Sequence, residues 1–396
     1  MDGSELTSQI LALVDAGAGG LDEGQRLRLL AACNKLRDTL QSPIERTIQT
    51  MLGGHDPIAL RLAIDLGLPD IALANNGPIT IEELAGKSKA DIALVRRIMR
   101  FVSCLGVFSE VDVDTYTATP LTGTYSTSSP MREVVIHLST AEPTIGRLPD
   151  YFAERGWQNP DDALNGPWQF AEHTTDQYWE WLAKRERLQR AFNIVMGMQR
   201  KMRGEDWFEF FPVEEKLSVG DVNEGGVVFV DIGGGLGHDL VRFKTRFPEL
   251  RGKFVLEDLP SVVAAAKDLP ADIATLGHDF FIPHPDEIKG AKAYYLRTIL
   301  HDWPDKQALA ILANIKDIMA PNSLLLINEG VLAEKGVSLF EARHDFHMMA
   351  RFSALERTEK QWRVLLEEAG FELVQIWRSE QVAEAKGALM EVVVRK

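Results

Sequence analysis

The chain has 396 residues, of which 45% are hydrophobic, so it is long enough for two domains with sizeable cores. Its formal net charge of -15 argues against nucleic acid or an anionic membrane as the main partner. The two cysteines have neither metal-site nor disulfide-framework spacing, and no apolar run approaches a membrane span, so we expect a cytoplasmic protein without a membrane partner.

Apolar residues at helical spacing characterise the first 52 residues. We predict two helices on either side of the glycine-rich turn 16–20. Ser42 and Pro43 form the pattern of a helix cap followed by proline at the first helical position. The helix that follows carries an apolar stripe, which on periodicity alone predicts burial in a core. The stripe consists of Ile44, Ile48, Met51 and Leu52.

The segment from Pro57 to Leu121 predicts three helices and then a short hairpin over 107–118, the element order of a winged helix. Winged helices often read DNA, and a DNA reader would need an unbalanced basic surface. Here the basic residues are nearly balanced by acidic ones in the same segment, so we predict no nucleic-acid partner.

Residues 131–212 are aromatic-rich and predicted to be helical. Phe192 and Met196 are four residues apart and share a helix face, which Arg200 continues one turn later. An aromatic and methionine stripe is more often core than pocket. His137 lies in an apolar segment, where a lone histidine is more often a satisfied core residue than a ligand contact.

From Val227 to Lys396 strands and helices alternate, which predicts a mostly parallel, doubly wound sheet covered on both faces. The last helix has a capping-box spacing at Thr358 and Gln361, and Gly370 occupies its C-terminal cap. We expect strands near 227–231, 253–257, 273–276, 292–296, 323–329, 371–377 and 388–394.

A glycine-dense turn follows the first of these strands. Its run, Gly233-Gly234-Gly235-Leu236-Gly237, comes directly after Asp231-Ile232 and opens a helix. Glycines allow a sharp turn with positive φ and a close approach of a ligand, so the turn is either a cofactor loop or merely a tight connection. Asp258, at the end of the next strand, suits hydrogen bonding to ribose hydroxyls or capping of the helix that follows Leu259.

Four motifs in this order resemble class I S-adenosylmethionine-dependent O-methyltransferases of the caffeate type. They are Val230-Asp231-Ile232-Gly233-Gly234-Gly235-x-Gly237, Glu257-Asp258-Leu259-Pro260, His278-Asp279-Phe280 and the run Arg297 to Pro304. The likeness extends from about Ile44 to the C-terminus. It implies a Rossmann-like catalytic domain over 216–396, a helical linker lining the acceptor pocket over 126–215, and a helical and winged-helix dimerisation domain over 1–125. A homodimer acting on a small-molecule acceptor is therefore expected.

The resemblance assigns the methyl-donor site. S-adenosylmethionine is the implied cofactor, with the glycines at its methionine end, Asp258 at its ribose, and Asp279 and Phe280 at its adenine. Arg297 is placed near the same pocket. Phe280 stands where plant relatives often have Met, and Arg297 where they often have Lys. The glycines in question are Gly233, Gly234 and Gly235.

The resemblance also assigns the catalytic residues. Methyl transfer to a phenol needs the acceptor hydroxyl deprotonated and aligned, and a histidine near neutral pKa is a natural base. His301 takes that role, and Glu329 and Glu356 are the paired acids. The alternatives are that His301 is a structural cap and that Glu356 pairs in solvent with Arg357 or Lys360. Asp302 is expected to be a cap or a contact on the donor side.

The acceptor pocket is implied to combine the helix face of Phe192 and the apolar segment of His137 with residues of a later helix. Its candidates are His137, Phe192, Met196, Arg200, Asp345, Met348, Met349 and Phe352. His344 and His347 near Asp345 suggest a metal, but no third firm ligand emerges, so we predict none.

We therefore expect an O-methyltransferase acting on a hydroxyl of a small aromatic or polyketide-type secondary metabolite. The alternative is a related enzyme that keeps the sulfonium cofactor but catalyses a pericyclic or dehydration reaction without methyl transfer. His137 and Arg200 are polar groups that such an enzyme could use, whereas the intact His301 and its two acids favour methyl transfer. A winged-helix regulator that senses the cofactor is the third hypothesis, disfavoured by the charge balance.

Overall fold

The computed structural model describes residues 3–17, 19–202, 205–217, 226–267, 269–379 and 387–395. The chain divides into two compact units, Met1–Ser128 and Ser129–Lys396. The functional division at 125 and 215 stays a prediction.

The first unit is mainly helical and contains a three-stranded antiparallel sheet in the order β1-β3-β2. Its strands are β1 (Ile79–Thr80), β2 (Phe108–Asp112) and β3 (Thr115–Ala118). Its helices are α1 (Gly3–Ala16), α2 (Glu23–Leu40), α3 (Pro43–Leu52), α4 (Asp56–Asp65), α5 (Leu68–Leu73), α6 (Ile81–Ser88), α7 (Ile92–Cys104) and α8 (Pro120–Thr124). Strands β2 and β3 confirm the predicted hairpin; the winged-helix classification stays a prediction.

Helix α3 begins as predicted, because the Ser42 hydroxyl accepts the backbone N–H of Glu45 and the Glu45 carboxylate accepts the N–H of Ser42. The prediction from periodicity that its apolar stripe is buried in a core is wrong, however. No residue of α3 is buried within the chain, and Ile44 and Met51 are 72% and 68% exposed. The core of this unit is instead built by α4 to α7 around Ile81, Val95 and Tyr116.

The second unit contains a helical segment followed by the large sheet. The helical segment comprises α9 (Met131–Leu138), α10 (Glu142–Arg155), α11 (Pro167–Glu172), α12 (Tyr178–Ala183), α13 (Glu186–Met202), α14 (Trp207–Phe210) and α15 (Val213–Leu217). The strands of the sheet are β4 (Val227–Ile232), β5 (Lys253–Asp258), β6 (Ile273–Gly277), β7 (Ala293–Arg297), β8 (Leu324–Glu329), β9 (Phe371–Trp377) and β10 (Ala388–Val394). The helices between them are α16 (His238–Arg246), α17 (Pro260–Val263), α18 (Asp305–Ile318), α19 (Leu339–Phe352) and α20 (Glu359–Glu368).

The sheet has the order β6-β5-β4-β7-β8-β10-β9. Strands β4 to β8 pair in parallel, and β10 pairs antiparallel with both β8 and β9. The predicted Rossmann-like, mostly parallel sheet is thus confirmed. Its winding direction reverses between β4 and β7, and open α/β sheets bind their ligands at the carboxyl ends of the strands at such a switch point. The glycine turn follows β4 and the His301 turn follows β7, so the topology brings both to this edge.

Two apolar layers cover the sheet because neighbouring residues of its central strands point to opposite faces. On β7, Tyr294 and Leu296 enter one layer and Ala293 and Tyr295 enter the other. Helices α18 and α20 close the first layer, while α14 and α16 close the second. The cap of α20 at Thr358 and the positive φ of +82° at Gly370 are as predicted. None of the helices in the described part of the chain combines the length and apolar character needed to cross a membrane.

Trp207 joins the helical segment to the sheet, and its replacement tests that connection. Its ring lies 5.9 Å from the Phe229 ring and 4.9 Å from the Phe243 ring, and it is buried. We expect Trp207→Ala to lower the free energy of unfolding by about 3–5 kcal/mol through the cavity it leaves. Trp157→Ala, at a residue 73% exposed, should cost less than about 1 kcal/mol. Urea denaturation measures both, and equal losses would contradict the packing described here.

Candidate active site

The glycine turn after β4 is tightly packed. Gly233, Gly235 and Gly237 have φ of +69°, +64° and +77°, which residues with a side chain rarely adopt. A Cβ at Gly234 would lie 2.4 Å from the Leu256 side chain, and one at Gly233 would lie 2.5 Å from Ile299 Cδ1. Gly233 and Gly234 therefore leave no room for side chains, and Gly233 packs directly against the segment that carries His301.

The acidic end of β5 holds this turn. The Glu257 carbonyl accepts the N–H groups of Gly233 and Gly234 at 2.8 and 3.2 Å. The Asp258 carboxylate accepts the N–H of Gly235 at 2.8 Å and that of Leu259 at 2.7 Å. The helix-capping alternative for Asp258 is wrong, because the N-cap of α17 is Leu259 and no side chain caps that helix. The contact of Asp258 with a ribose stays a prediction.

Three further residues were assigned to the methyl-donor site, and one of them borders the glycine turn. Phe280 Cε1 lies 3.9 Å from the position of a Cβ on Gly233, so Phe280 borders the glycine turn. Asp279 accepts the N–H of Phe281 at 3.0 Å and so orders its own loop. Arg297, at the end of β7, forms an ion pair with Asp239 in the first turn of α16. Sequence reasoning missed Asp239, which could have been suspected because it is an acidic residue in the first turn after the glycines.

His301 lies on a short 3₁₀ turn, Leu300–Asp302, that is held from two sides. Glu329 Oε1 accepts the backbone N–H groups of Ile299 and Leu300 at 2.8 and 2.9 Å. The buried Arg357 guanidinium donates to the carbonyls of Leu300 and Trp303, both at 2.9 Å, and pairs with Asp305. Glu329 is therefore bound to the backbone that precedes His301, and the sequence did not indicate the role of Arg357.

Glu356 is the carboxylate that contacts the imidazole. Its Oε1 accepts from His301 Nδ1 at 2.7 Å and lies 3.0 Å from His344 Nδ1. The Asp345 carboxylate accepts the Glu356 backbone N–H at 2.8 Å. Glu356 is buried, so the alternative in which it pairs with Arg357 in solvent does not describe this structure. The site thus joins His301, Glu356, His344 and Asp345 in one network.

The charges in this network set the proton affinity of His301. Burial opposes the charged imidazole, but the carboxylates of Asp302, Glu329 and Glu356 outweigh burial and raise the pKa of His301 to about 10. Burial raises the pKa of Asp302, 3.6 Å from His301 Nε2, to about 7. Burial also acts to raise the pKa of Glu356, but hydrogen bonds from His301 and His344 dominate and keep that pKa well below its usual range. Nδ1 of His301 is thus bound to Glu356, whereas Nε2 has Asp302 as its charged neighbour.

Residues assigned to the acceptor pocket meet in an aromatic cluster. Phe192 packs beside Trp179 and lies 5.5 Å, ring to ring, from His137. Met348 and Phe352 of α19 belong to the same cluster. Its buried aromatic members include Trp168, Tyr178 and Trp181. The stripe on α13 therefore borders other aromatic residues of this unit.

His137 has a partner that the sequence did not indicate. Arg351 Nη1 donates to His137 Nε2, and Nη2 donates to the His137 carbonyl, both at 3.0 Å. Burial and the Arg351 charge lower the pKa of His137 to about 3, so the ring is neutral and accepts at Nε2. The sequence feature that could have indicated this partner is the position of Arg351 directly after the apolar run Met348-Met349-Ala350.

The remaining candidates divide into two sets. Met196 on α13 and Met349 on α19 are half-buried, and their contact with an acceptor stays a prediction. The Arg200 side chain lies outside the described residues.

The predicted absence of a metal concerned His344 and His347. Among the residues the structure describes, the group with metal-ligand spacing is Glu257, His278 and His284, and neither His344 nor His347 belongs to it. The expectation of no metal stays a prediction.

These features fit the cofactor that the motifs imply. The glycine turn, here called the glycine cradle, bares its backbone at a strand end, has no space for a Cβ at Gly233 or Gly234, and has the Asp258 carboxylate at the end of the neighbouring strand. The His301 turn packs against the cradle through Ile299, so a donor bound there would lie beside the base candidate. The residues that would hold the cofactor are the three glycines, Asp258, Asp279, Phe280 and Arg297.

Comparison with known protein families places two matches on the chain. An O-methyltransferase dimerisation domain matches residues 48–128, and an O-methyltransferase domain matches residues 163–372. A methyltransferase of Aspergillus candidus, cfoC, is 35% identical over 93% of this chain and 90% of its own length. The demethylsterigmatocystin 6-O-methyltransferase of Aspergillus flavus is 32% identical over 88% of both chains.

Two solved structures resemble the whole chain. The complex of LepI with S-adenosylmethionine has 29% sequence identity and a TM-score of 0.82, and the match covers 100% of both chains. A structure described as a pericyclic reaction enzyme has the same identity and TM-score and covers 99% of this chain and 100% of its own. The family matches account for the glycine cradle, the order of the motifs and the dimerisation segment together. The chain belongs to the family of S-adenosylmethionine-dependent O-methyltransferases.

Proposed function

We propose that the protein transfers a methyl group from S-adenosylmethionine to a hydroxyl of a small aromatic or polyketide-type metabolite, with His301 as the general base. The observation that carries the proposal is the His301–Glu356 pair beside the glycine cradle. When bound, the cofactor supplies a methyl group already activated as a sulfonium.

Each acid has its own task in this mechanism. Glu356 accepts the Nδ1 proton of His301, which fixes the tautomer and leaves Nε2 to receive the proton of the acceptor hydroxyl. Glu329 keeps the 3₁₀ turn in place through the N–H groups of Ile299 and Leu300. The carboxylates also stabilise the imidazolium that forms, and the surrounding burial limits competing water.

The aromatic cluster and one relative support the proposed acceptor class. The rings of α12 and α13 cluster with Phe352, and flat apolar rings of this kind suit a planar ring system. The name of the Aspergillus flavus relative specifies methylation of demethylsterigmatocystin at a 6-hydroxyl, which supports a polycyclic aromatic acceptor by analogy.

A pericyclic or dehydration reaction is the second candidate, favoured by the likeness to the pericyclic reaction enzyme at 29% identity. It would use the cofactor charge and the polar groups around His137 without consuming the methyl group. A base poised by two acids is needed for methyl transfer and is not required by that chemistry. The two candidates differ in product mass and in whether S-adenosylhomocysteine is released.

The first prediction concerns donor binding. Gly235→Val should abolish S-adenosylmethionine binding, because a branched side chain resists φ of +64° and would distort the turn. Gly336→Val is the matched control, since Gly336 has φ of +79° with no neighbour within 4 Å of its added Cβ, and it should keep full affinity. Titration calorimetry measures both. Unchanged affinity in folded Gly235→Val would remove the cofactor-loop assignment.

The second prediction concerns the base. His301→Ala should lower the rate of single turnover on the order of a hundredfold to ten-thousandfold while keeping donor affinity. The wild-type rate should rise with pH from about 7 towards 10, because the raised pKa keeps His301 protonated at pH 7 and a base must first lose that proton. In His301→Ala this rise should disappear when the assay uses an acceptor whose hydroxyl pKa lies above that range. Glu329→Gln should cost less than the His301 change.

The assay for this prediction follows two quantities, product mass and S-adenosylhomocysteine yield. Glu368→Gln, at an exposed carboxylate on α20, is the control for carboxylate removal and should have the wild-type rate. A product lacking the added methyl mass would replace methyl transfer by the pericyclic alternative. A fully active His301→Ala would leave methyl transfer standing and remove the base assignment.

The third prediction concerns assembly. We infer a homodimer, because the family match includes a dimerisation domain and α3 exposes an apolar stripe. Ile44 and Ile48 lie one turn apart on that stripe, so Ile44→Glu with Ile48→Glu should shift the sedimenting mass from dimer to monomer. Arg46→Glu, on the opposite face of the helix, should remain dimeric. A concentration-independent monomer in the wild type would contradict the inference.

A further inference from the structure

A buried cation lies near the proposed base, in the aromatic cluster described above. Arg351 is 2% exposed, and no carboxylate oxygen of the described residues is paired with it. Its two terminal nitrogens donate to His137, which is neutral, and its guanidinium stacks 5.0 Å from the Tyr178 ring centre. Burying a charge that is not paired with a carboxylate costs several kcal/mol. A charge kept there at such a cost points to a negative partner that arrives with a ligand.

The polar atoms around Arg351 also lack partners among the described residues. Four buried atoms have none, namely Arg351 Nε, Tyr178 Oη, Trp168 Nε1 and His347 Nε2. The Trp168 and Tyr178 rings are 5.0 Å apart, and His347 lies one turn before Arg351 on α19. Arginine and tryptophan nitrogens can only donate, and the tyrosine hydroxyl can donate. The complementary ligand group is therefore rich in acceptors.

Helix geometry relates this cluster to the base. Arg351 and His344 are seven residues apart on α19, so they lie on one face about 10 Å apart along the axis. His344 contacts Glu356, and Glu356 contacts His301. Asp302, next to His301, is also the carboxylate that acts on the Arg351 charge. A planar molecule of two or three fused rings would span these two ends.

We propose that Arg351, with Tyr178 and Trp168, binds an anionic oxygen group of the acceptor, either a carboxylate or an ionised enol, while the acceptor hydroxyl lies at His301. This proposal rests on the proposed function for the hydroxyl end only. Arg351 then selects acidic acceptors over neutral ones of the same shape. No bond to the anionic group forms or breaks, so its contribution is to affinity and orientation.

The test compares an acid with its own neutral ester. The probes are 6-hydroxy-2-naphthoate and its methyl ester, which carry the hydroxyl and the carboxyl group at opposite ends of two fused rings. Calorimetry is performed on the full-length protein saturated with S-adenosylhomocysteine. The wild type should bind the acid roughly 10- to 100-fold more tightly than the ester, as expected for charge-assisted hydrogen bonds in a buried site.

Two variants make the result specific. Arg351→Met should bind acid and ester with equal affinity, with its ester affinity close to that of the wild type. It should melt at the same or a higher temperature, because it removes a buried charge that is not paired with any carboxylate of the described residues. Arg343→Met is the matched control on the exposed side of α19 and should keep the preference for the acid. Loss of the preference in both variants, or in neither, overturns the proposal.

A wild type that does not bind the acid more tightly than the ester, including one that binds neither, overturns the proposal. Methyl transfer is assayed separately by release of S-adenosylhomocysteine from S-adenosylmethionine. Preferential binding of the acid without release would uphold the Arg351 site and count against the proposed function. Release of S-adenosylhomocysteine with the ester as acceptor, together with equal binding of acid and ester, would support the proposed function and overturn the Arg351 site.

Discussion

The Glu356 carboxylate accepts a hydrogen bond from His301 Nδ1 and lies beside His344 Nδ1, and the geometry of the active site depends on this bridge. A carboxylate stays ionised in a buried position only if hydrogen bonds or positive charges compensate for lost water. Here the two imidazoles provide that compensation. The same contacts determine which nitrogen of His301 faces the ligand.

Three sequence-distant segments must be in register for this bridge to form. Strand β8 supplies Glu329, which binds the backbone ahead of His301, and α19 supplies Asp345, which binds the backbone of Glu356. Arg357 then fixes the carbonyls of Leu300 and Trp303. The base is therefore oriented by contacts made largely to backbone groups. Such contacts tolerate little movement, which is what in-line transfer to a small ligand requires.

The strands and the cofactor cradle were predictable because their signals are local. Apolar runs such as 227–230 mark buried parallel strands, and a glycine turn directly after such a strand predicts positive φ. The pairing inside the site was less predictable. Both Glu329 and Glu356 follow from the motifs, but only the fold reveals that Glu356 contacts the imidazole while Glu329 binds backbone N–H groups.

Burial was the property that sequence patterns conveyed least well. The stripe on α3 has the periodicity of a core helix, yet it is exposed, because periodicity reports an apolar face and not what covers it. Arg351 presents the converse case. An arginine near a helix end ordinarily indicates solvent or a favourable helix dipole, and only its contacts with α9 and α12 make it a buried cation.

The most direct test of the bridge is a nitrogen-15 NMR titration of histidine-labelled protein, with His301 assigned by comparison with His301→Asn. The geometry predicts a proton on Nδ1 throughout and a pKa for His301 well above 6.5, which falls when Glu356→Gln removes the carboxylate charge. A wild-type His301 pKa at or below 6.5, or one unchanged by Glu356→Gln, would contradict the account.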